Sequence, residues 1–144
     1  MPEITISRLE FKNACTAFLD QVALEHAAGH QGKLAGRYTL IADGGTRIGI
    51  MFEKSEKTQA HCWVEARFAD SIGDIGIEHK RYMASDLYKK NPKTGKISYG
   101  RHAALKSMRD LCNADLVRFT PVDAAELERL VNRLKAYEPI TVGL

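Results

Sequence analysis

The spacing of apolar residues changes twice along this chain, and that change limits the fold more than any single motif does. Near both ends, apolar residues recur every three or four positions, as they do on one face of a helix. Between residues 37 and 83 they alternate or form short runs typical of strands. Helices on either side of consecutive strands predict an α+β fold. We expect a single α+β domain over residues 1–144, with a mostly antiparallel sheet of four to five strands, an N-terminal helix and two C-terminal helices packed on it.

The N-terminal pattern predicts a helix over residues 8–28. Ser7 is followed three residues later by Glu10, which is a capping box. Gly29 is a candidate for the C-terminal stop. Residues 3–6 could add a short strand before the helix. The apolar stripe of this helix consists of Phe11, Cys15, Phe18 and Val22.

Five segments have the composition of strands. The first two are RYTLIA and TRIGIMF, joined by Asp43-Gly44-Gly45, whose residues tolerate the positive φ of a hairpin turn. AHCWVEARF, from Ala60, alternates as a third strand does, and a fourth is expected within residues 75–83. DLVRF, from Asp115, is a further short run. Consecutive alternating strands favour an antiparallel arrangement with one face on the core.

Two C-terminal helices follow from the same spacing. Residues 103–113 place Leu105, Met108, Leu111 and Cys112 on one helical face. Thr120-Pro121 then predicts an N-cap and a first helical residue for a helix that continues to about Tyr137. We expect the apolar stripes of the two terminal helices to lie in one core with the sheet: Phe11, Phe18, Leu127, Leu130, Val131 and Leu134.

Composition excludes several classes of protein. The apolar fraction of 44% and the charged fraction of 27% are typical of a soluble globular domain. No apolar run approaches the roughly 18 residues of a membrane span, and the N-terminus lacks the pattern of a signal peptide. Three widely spaced cysteines without a CxxC pair predict reduced thiols and a cytoplasmic location.

The positive charge is concentrated in one segment. Residues 79–109 contain nine Lys or Arg and one acid, a net charge of +8, whereas the rest of the chain has a net charge of −5. Clustered cations with interspersed tyrosines are typical of surfaces that bind nucleic acid. The predicted contact residues are Lys80, Arg81, Lys89, Lys90, Lys93, Lys96, Tyr99, Arg101, His102 and Lys106.

A mechanism follows from the residues of this segment. Pro92 and Gly95 would bend the loop so that four of its lysines project together. A helix beginning after Gly100 would present its free N–H groups to a phosphate beside Arg101 and His102. Tyr99 would stack on an unpaired base. The sequence thus predicts non-enzymatic binding of nucleic acid or another polyanion, without distinguishing DNA from RNA.

Other interpretations remain open. The segment could be a solvated hairpin, or it could bind a small phosphorylated ligand or an acidic protein. Asp74, or Asp70, with Glu78 and Lys80 has the residue types of a Mg²⁺-dependent nuclease. A third possibility is a protein-interaction module whose C-terminal EPITVGL adds a strand to a partner or to a second copy of the chain.

Several weaker patterns support no functional assignment. His26 and His30 have a spacing that zinc sites use, but Gly29 interrupts the helix and no third ligand is indicated. Trp63 could be a stacking platform, but a core position is the better interpretation. His102 and Cys112 are too far apart for a nucleophile pair. No cofactor motif and no metal site is predicted, and the chain is not expected to enter a membrane.

Overall fold

The computed structural model of the chain describes residues 7–139, so the strand predicted at residues 3–6 and most of EPITVGL lie outside it. The strands are β1 Leu24–Glu25, β2 Ala35–Ile41, β3 Arg47–Glu53, β4 Cys62–Glu65, β5 His79–Tyr82, β6 Tyr88–Lys90, β7 Ile97–Tyr99 and β8 Leu116–Phe119. Six of them form one antiparallel sheet in the order β1-β2-β3-β4-β8-β5, and two form a separate ribbon, β6-β7. The helices are α1 Arg8–Val22, α2 Ala66–Ile72 and α3 Ala124–Lys135, with 3₁₀ turns at Ala84–Asp86 and Ala103–Ser107.

The α+β prediction is confirmed, and the sheet has more strands than the four to five expected. The turn at residues 43–45 joins β2 to β3 as predicted: Ala42 N–H donates to Thr46 O over 2.8 Å, and Gly45 has a φ of +90°. Within residues 7–139, no helix combines the length and the apolar character needed to cross a bilayer.

One face of the sheet packs against the three helices. The apolar stripe of α3 is fully buried there, as predicted, and Phe11 and Phe18 of α1 are partly buried against the same core. Strand alternation directs Val117 and Phe119 of β8 toward this face. The buried stripe of α3 consists of Leu127, Leu130, Val131 and Leu134.

The opposite face of the sheet is covered by irregular chain. Residues 100–114 contribute four of the eight buried residues of this second core, and the face of β3 and β4 that carries Met51 and Trp63 packs against them. Trp63 is buried and donates its indole N–H to Glu53 Oε2 over 2.7 Å. The indole therefore belongs to the core, as the sequence favoured, and it is no open stacking platform.

The first helix is shorter than predicted. Its N-terminus has the expected cap, since Glu10 N–H donates to Ser7 Oγ over 3.2 Å. The helix ends at Val22 and not at Ala28, because Leu24 and Glu25 pair with Thr39 and Tyr38 as a short edge strand. Pairing with a sheet outweighs helix propensity when both are locally possible.

The third strand stops earlier than predicted. Residues 60–68 were expected to form one strand, but β4 ends at Glu65 and α2 begins at Ala66. Ala66 N–H donates to Asp115 O over 2.7 Å, and the helix then buries Phe68 and Ala69. A short apolar run fits the residue spacing of either a strand or a helix, and here the helix packs Phe68 into the core.

Residues 103–113 do not form the continuous helix that was predicted, since a 3₁₀ helix covers only Ala103–Ser107. Leu105, Met108 and Leu111 lie three residues apart, which fits a 3₁₀ repeat as well as an α-helix. Each of these N–H groups donates to the carbonyl three residues earlier, over 3.0–3.1 Å. All three side chains are buried as predicted, but they sit on a 3₁₀ turn followed by further turns.

The cap of the last helix lies later than predicted. Asp123, rather than Thr120, accepts the N–H of Glu126 over 2.8 Å. Glu126 Oε1 in turn accepts the Val122 N–H over 3.0 Å. The Thr120 hydroxyl instead lies 2.9 Å from His61 Nδ1.

Candidate polyanion-binding surface

The predicted basic loop is a two-stranded ribbon that projects from the body, and we call residues 87–100 the basic hairpin. Asn91 N–H donates to Lys96 O and Gly95 N–H to Asn91 O, each over 2.8 Å. Gly95 has a φ of +69°, a region that favours glycine. The tip of the hairpin is a defined turn between exposed strands.

The lysines of this region have no carboxylate partner among residues 7–139. The ion pairs found there join other residues, and each lysine is exposed. Exposed cations close together repel one another, so an external anion would relieve that repulsion. The set comprises Lys80, Lys89, Lys90, Lys93, Lys96 and Lys106.

The lysines do not all project together, which corrects the prediction from Pro92 and Gly95. Lys89 is opposite Ser98 and Lys90 is opposite Ile97 in the antiparallel register. Successive strand residues point to opposite faces, so Lys89 and Lys90 lie on different sides of the ribbon. A polyanion would have to pass along an edge or wrap the hairpin to reach both.

Arg101 is a structural residue. It is buried, and its guanidinium donates to Tyr82 O over 3.1 Å and to the Leu111 and Cys112 carbonyls over 3.3 Å each. These bonds tie the base of the hairpin to β5 and to the turns after the 3₁₀ segment. The prediction that Arg101 faces a phosphate is therefore not supported by its placement.

His102 has a capping role. Its Nδ1 accepts the N–H of Ala104 over 3.1 Å, at the start of a 3₁₀ turn of five residues. The predicted phosphate seat required an α-helix with free N–H groups and an aligned dipole. Residues 103–113, which the structure describes in full, form no α-helix. The predicted phosphate seat therefore has no support.

Arg81 lies on the face of the sheet that packs against the helices. It pairs in register with Val117, whose side chain faces the helices, and its guanidinium forms an ion pair with Asp70. Strand alternation separates it from its neighbour Lys80. Arg81 is thus the one predicted contact residue that already has a carboxylate partner among residues 7–139.

Arg118 was missed by the sequence analysis and lies beside Lys80. The two residues are opposite each other in the β5-β8 register. Lys80 Nζ lies 5.1 Å and Arg118 Cζ 5.3 Å from the centre of the Tyr82 ring. The Nε of Arg118 is buried and has no hydrogen-bond partner within residues 7–139. Like charges directly across a strand pair destabilise it, so this position favours a bound anion.

The Tyr99 ring is fixed in place. Its hydroxyl donates to Cys112 O over 2.9 Å, and burial raises the pKa of the phenol. Lys106 Nζ lies 5.5 Å from the centre of the ring. Tyr99 therefore anchors the hairpin to the body, while Lys106 presents a cation above it.

The residues of the metal-dependent alternative do not converge. Asp74 and Asp70 line a cavity on the helical side of the sheet with His79 and Arg81, and Asp74 Oδ1 accepts the Gly76 N–H over 2.9 Å. Lys80 projects from the other face. Among the described residues, no three His, Cys, Asp or Glu side chains are grouped to hold a metal ion.

Both nitrogens of each histidine in the rejected zinc pair are engaged. His26 Nδ1 accepts the Ala28 N–H over 3.0 Å, and its Nε2 lies 2.9 Å from Asp110 Oδ1. His30 Nδ1 accepts the Arg37 N–H over 3.0 Å, and its Nε2 lies 3.4 Å from Glu25 Oε1. These contacts attach residues 23–34 to β2 and to residues 100–114, the segment that packs on the opposite face of the sheet.

Comparison with known proteins gives no relative. No protein-family model matches the chain, and neither the curated proteins nor the solved structures include one that is significantly similar to it.

Proposed function

We propose that this protein binds nucleic acid, without catalysing a reaction, through the basic hairpin and the adjoining face of the sheet. The observation that carries the proposal is the clustering of six exposed lysines in and beside the hairpin, where no carboxylate among residues 7–139 pairs with them. The phosphate groups of a nucleic acid would supply the negative charge that these lysines lack. The counterions released from the phosphates provide the free energy of binding.

The contact set differs from the predicted one. It keeps Lys80, Lys89, Lys90, Lys93, Lys96 and Lys106, and it gains Arg118. Arg81, Tyr99, Arg101 and His102 support the hairpin or the sheet, and they are left out of the contact set. The three thiols are unpaired, and two of them are buried, which agrees with a reducing, cytoplasmic setting.

The first test is binding of a fluorescent oligonucleotide by anisotropy at low salt. We expect micromolar or tighter binding. The double variant Lys89→Ala/Lys90→Ala should weaken it about tenfold or more whatever the sequence, because phosphate contacts carry no sequence information. Its thermal midpoint should hardly change, since exposed lysines contribute little to stability.

A matched control removes the same charge elsewhere. Lys57 and Lys135 are exposed, and neither lies in the hairpin. Compared at about 0.15 M ionic strength, Lys57→Ala/Lys135→Ala should bind within about twofold of the wild type, because neither lysine belongs to the contact set and salt largely screens longer-range attraction. Equal losses in the two double variants would mean that only net charge matters, and absence of binding by the wild type would refute the proposal.

A further inference from the structure

The two faces of the basic hairpin differ in chemistry. Tyr88 is opposite Tyr99 and Lys90 is opposite Ile97 in the register of the ribbon. Alternation places these four side chains on one face and Lys89 with Ser98 on the other. We call the first the aromatic face, because it carries both tyrosines of the ribbon.

The aromatic face is half open to solvent. Tyr88 and Ile97 are each 64% exposed, although neither is a charged or small residue. Tyr99 beneath them is held by its bond to Cys112 O, and the Tyr88 ring meets it edge-on with centroids 6.4 Å apart. One ring is thus fixed to the body while the other is presented outward.

A groove runs between this face and the turns at residues 106–113. Its volume is about 600 Å³, and its far wall includes Lys106, Cys112 and Asn113. The exposed amide of Asn113 can both donate and accept a hydrogen bond. The groove therefore combines an exposed ring, an amide able to meet the edge of a base, and a cation.

We propose that the ligand is single-stranded nucleic acid, and that one of its unpaired bases enters this groove and stacks on Tyr88. This inference rests on the proposed function and specifies its ligand. Lys90 and Lys106 neutralise the phosphates on either side of that base. A duplex hides the faces of its bases in its own stack, so it reaches the lysines without filling the groove.

The test compares a single-stranded oligonucleotide with its duplex. Tyr88→Ala should lower the affinity for the single strand at least about fivefold, as expected for the loss of one stacked base, and the affinity for the duplex much less. Tyr88→Phe keeps the ring and should restore single-strand binding. Lys89→Ala, on the opposite face, should weaken both forms to a similar extent.

A local probe reports on the groove directly. Cys15 and Cys62 are buried, whereas Cys112 lines the groove and is partly exposed. Saturating single strand should slow alkylation of Cys112 severalfold, measured by mass spectrometry of its peptide. Saturating duplex should slow it much less.

The outcomes separate the two proposals. If neither form binds, the proposed function fails and this inference fails with it. Suppose instead that both forms bind, Tyr88→Ala weakens them equally and Cys112 is not selectively protected. The hairpin then binds polyanions by charge alone, and the inference is overturned while the proposed function stands.

Discussion

Lys12 carries an amino group in the interior of the protein. The residue is 1% exposed, and its Nζ donates to the Ser55 carbonyl and, over 3.1 Å, to Thr58 Oγ1. Burial lowers the pKa of Lys12 from 10.5 to about 8, although the charge of Glu53 opposes the shift. Lys12 thus attaches α1 to the loop after β3. Burial of its charged amino group costs free energy, and this cost depends on pH.

This cost predicts a pH dependence of stability. Between about pH 8 and 10.5 the unfolded chain holds the Lys12 proton more tightly than the folded one, so the contribution of Lys12 to stability improves as the pH rises. Relative to Lys12→Met, the free energy of unfolding of the wild type should increase by about 3 kcal/mol across that range. Urea denaturation at a series of pH values measures it.

The comparison with Lys12→Met is needed because Cys15 acts in the opposite direction. Burial raises the pKa of that thiol from 9.0 to about 11, so its contribution to stability falls as the pH rises through this range. The burial of Cys15 is common to both proteins and cancels in the difference, which keeps only the attraction between the Cys15 thiolate and the Lys12 ammonium. Parallel curves for the two proteins would contradict our account of Lys12.

Leu130 tests the predicted core. It is fully buried between α3 and the sheet, so Leu130→Ala should destabilise the protein by about 2–5 kcal/mol through lost contacts and a residual cavity. Glu128→Ala, at an exposed position of the same helix, is the control and should change stability by less than about 0.5 kcal/mol. A small effect of Leu130→Ala in urea denaturation would show that the layout of the core is wrong.

Among the elements of the structure, five of the eight strands were predicted, β4 with a wrong end, whereas β1, β6 and β7 were not. The strands β2, β3, β5 and β8 lie within or close to the predicted segments, because a turn or a glycine bounds each run. The helical errors arose where local spacing allowed two structures: residues 66–72 fit strand or helix, and residues 103–113 fit a 3₁₀ turn or an α-helix. Contacts distant in the chain decided both, including the bond from Ala66 N–H to Asp115 O.

The attachment of the hairpin depends on the shape of a guanidinium. A lysine at position 101 cannot supply the planar set of donors that reaches three carbonyls on two segments. Arg101→Lys should therefore destabilise the protein by about 1–3 kcal/mol. It should also speed amide hydrogen exchange in β6 and β7 more than in β3.

Arg109→Lys is the matched control for Arg101→Lys. Arg109 is exposed, so the same change should leave both stability and exchange nearly unaltered. If Arg101→Lys is equally silent, the base of the hairpin is held by other contacts.

In the whole molecule, the composition of the proposed contact surface follows from the sequence only in part. The excess of positive charge over residues 79–109 is visible in the sequence. The burial of Arg101 is not, because its acceptors are backbone carbonyls that no sequence pattern marks. Arg118 was missed for a related reason: it joins Lys80 only through the pairing of β5 with β8, which are far apart in the chain.

In the proposed function, phosphates from outside the protein balance the charge of the six lysines at positions 80, 89, 90, 93, 96 and 106. The most direct measurement is the dependence of single-strand affinity on salt concentration. With four to six phosphate contacts, the logarithm of the association constant should fall against that of salt with a slope of about −3 to −4. Lys89→Ala/Lys90→Ala should reduce the magnitude of that slope by about 1.4, whereas Lys57→Ala/Lys135→Ala should leave it unchanged. A slope near zero, or one that the hairpin variant does not alter, would show that phosphates do not bind these lysines.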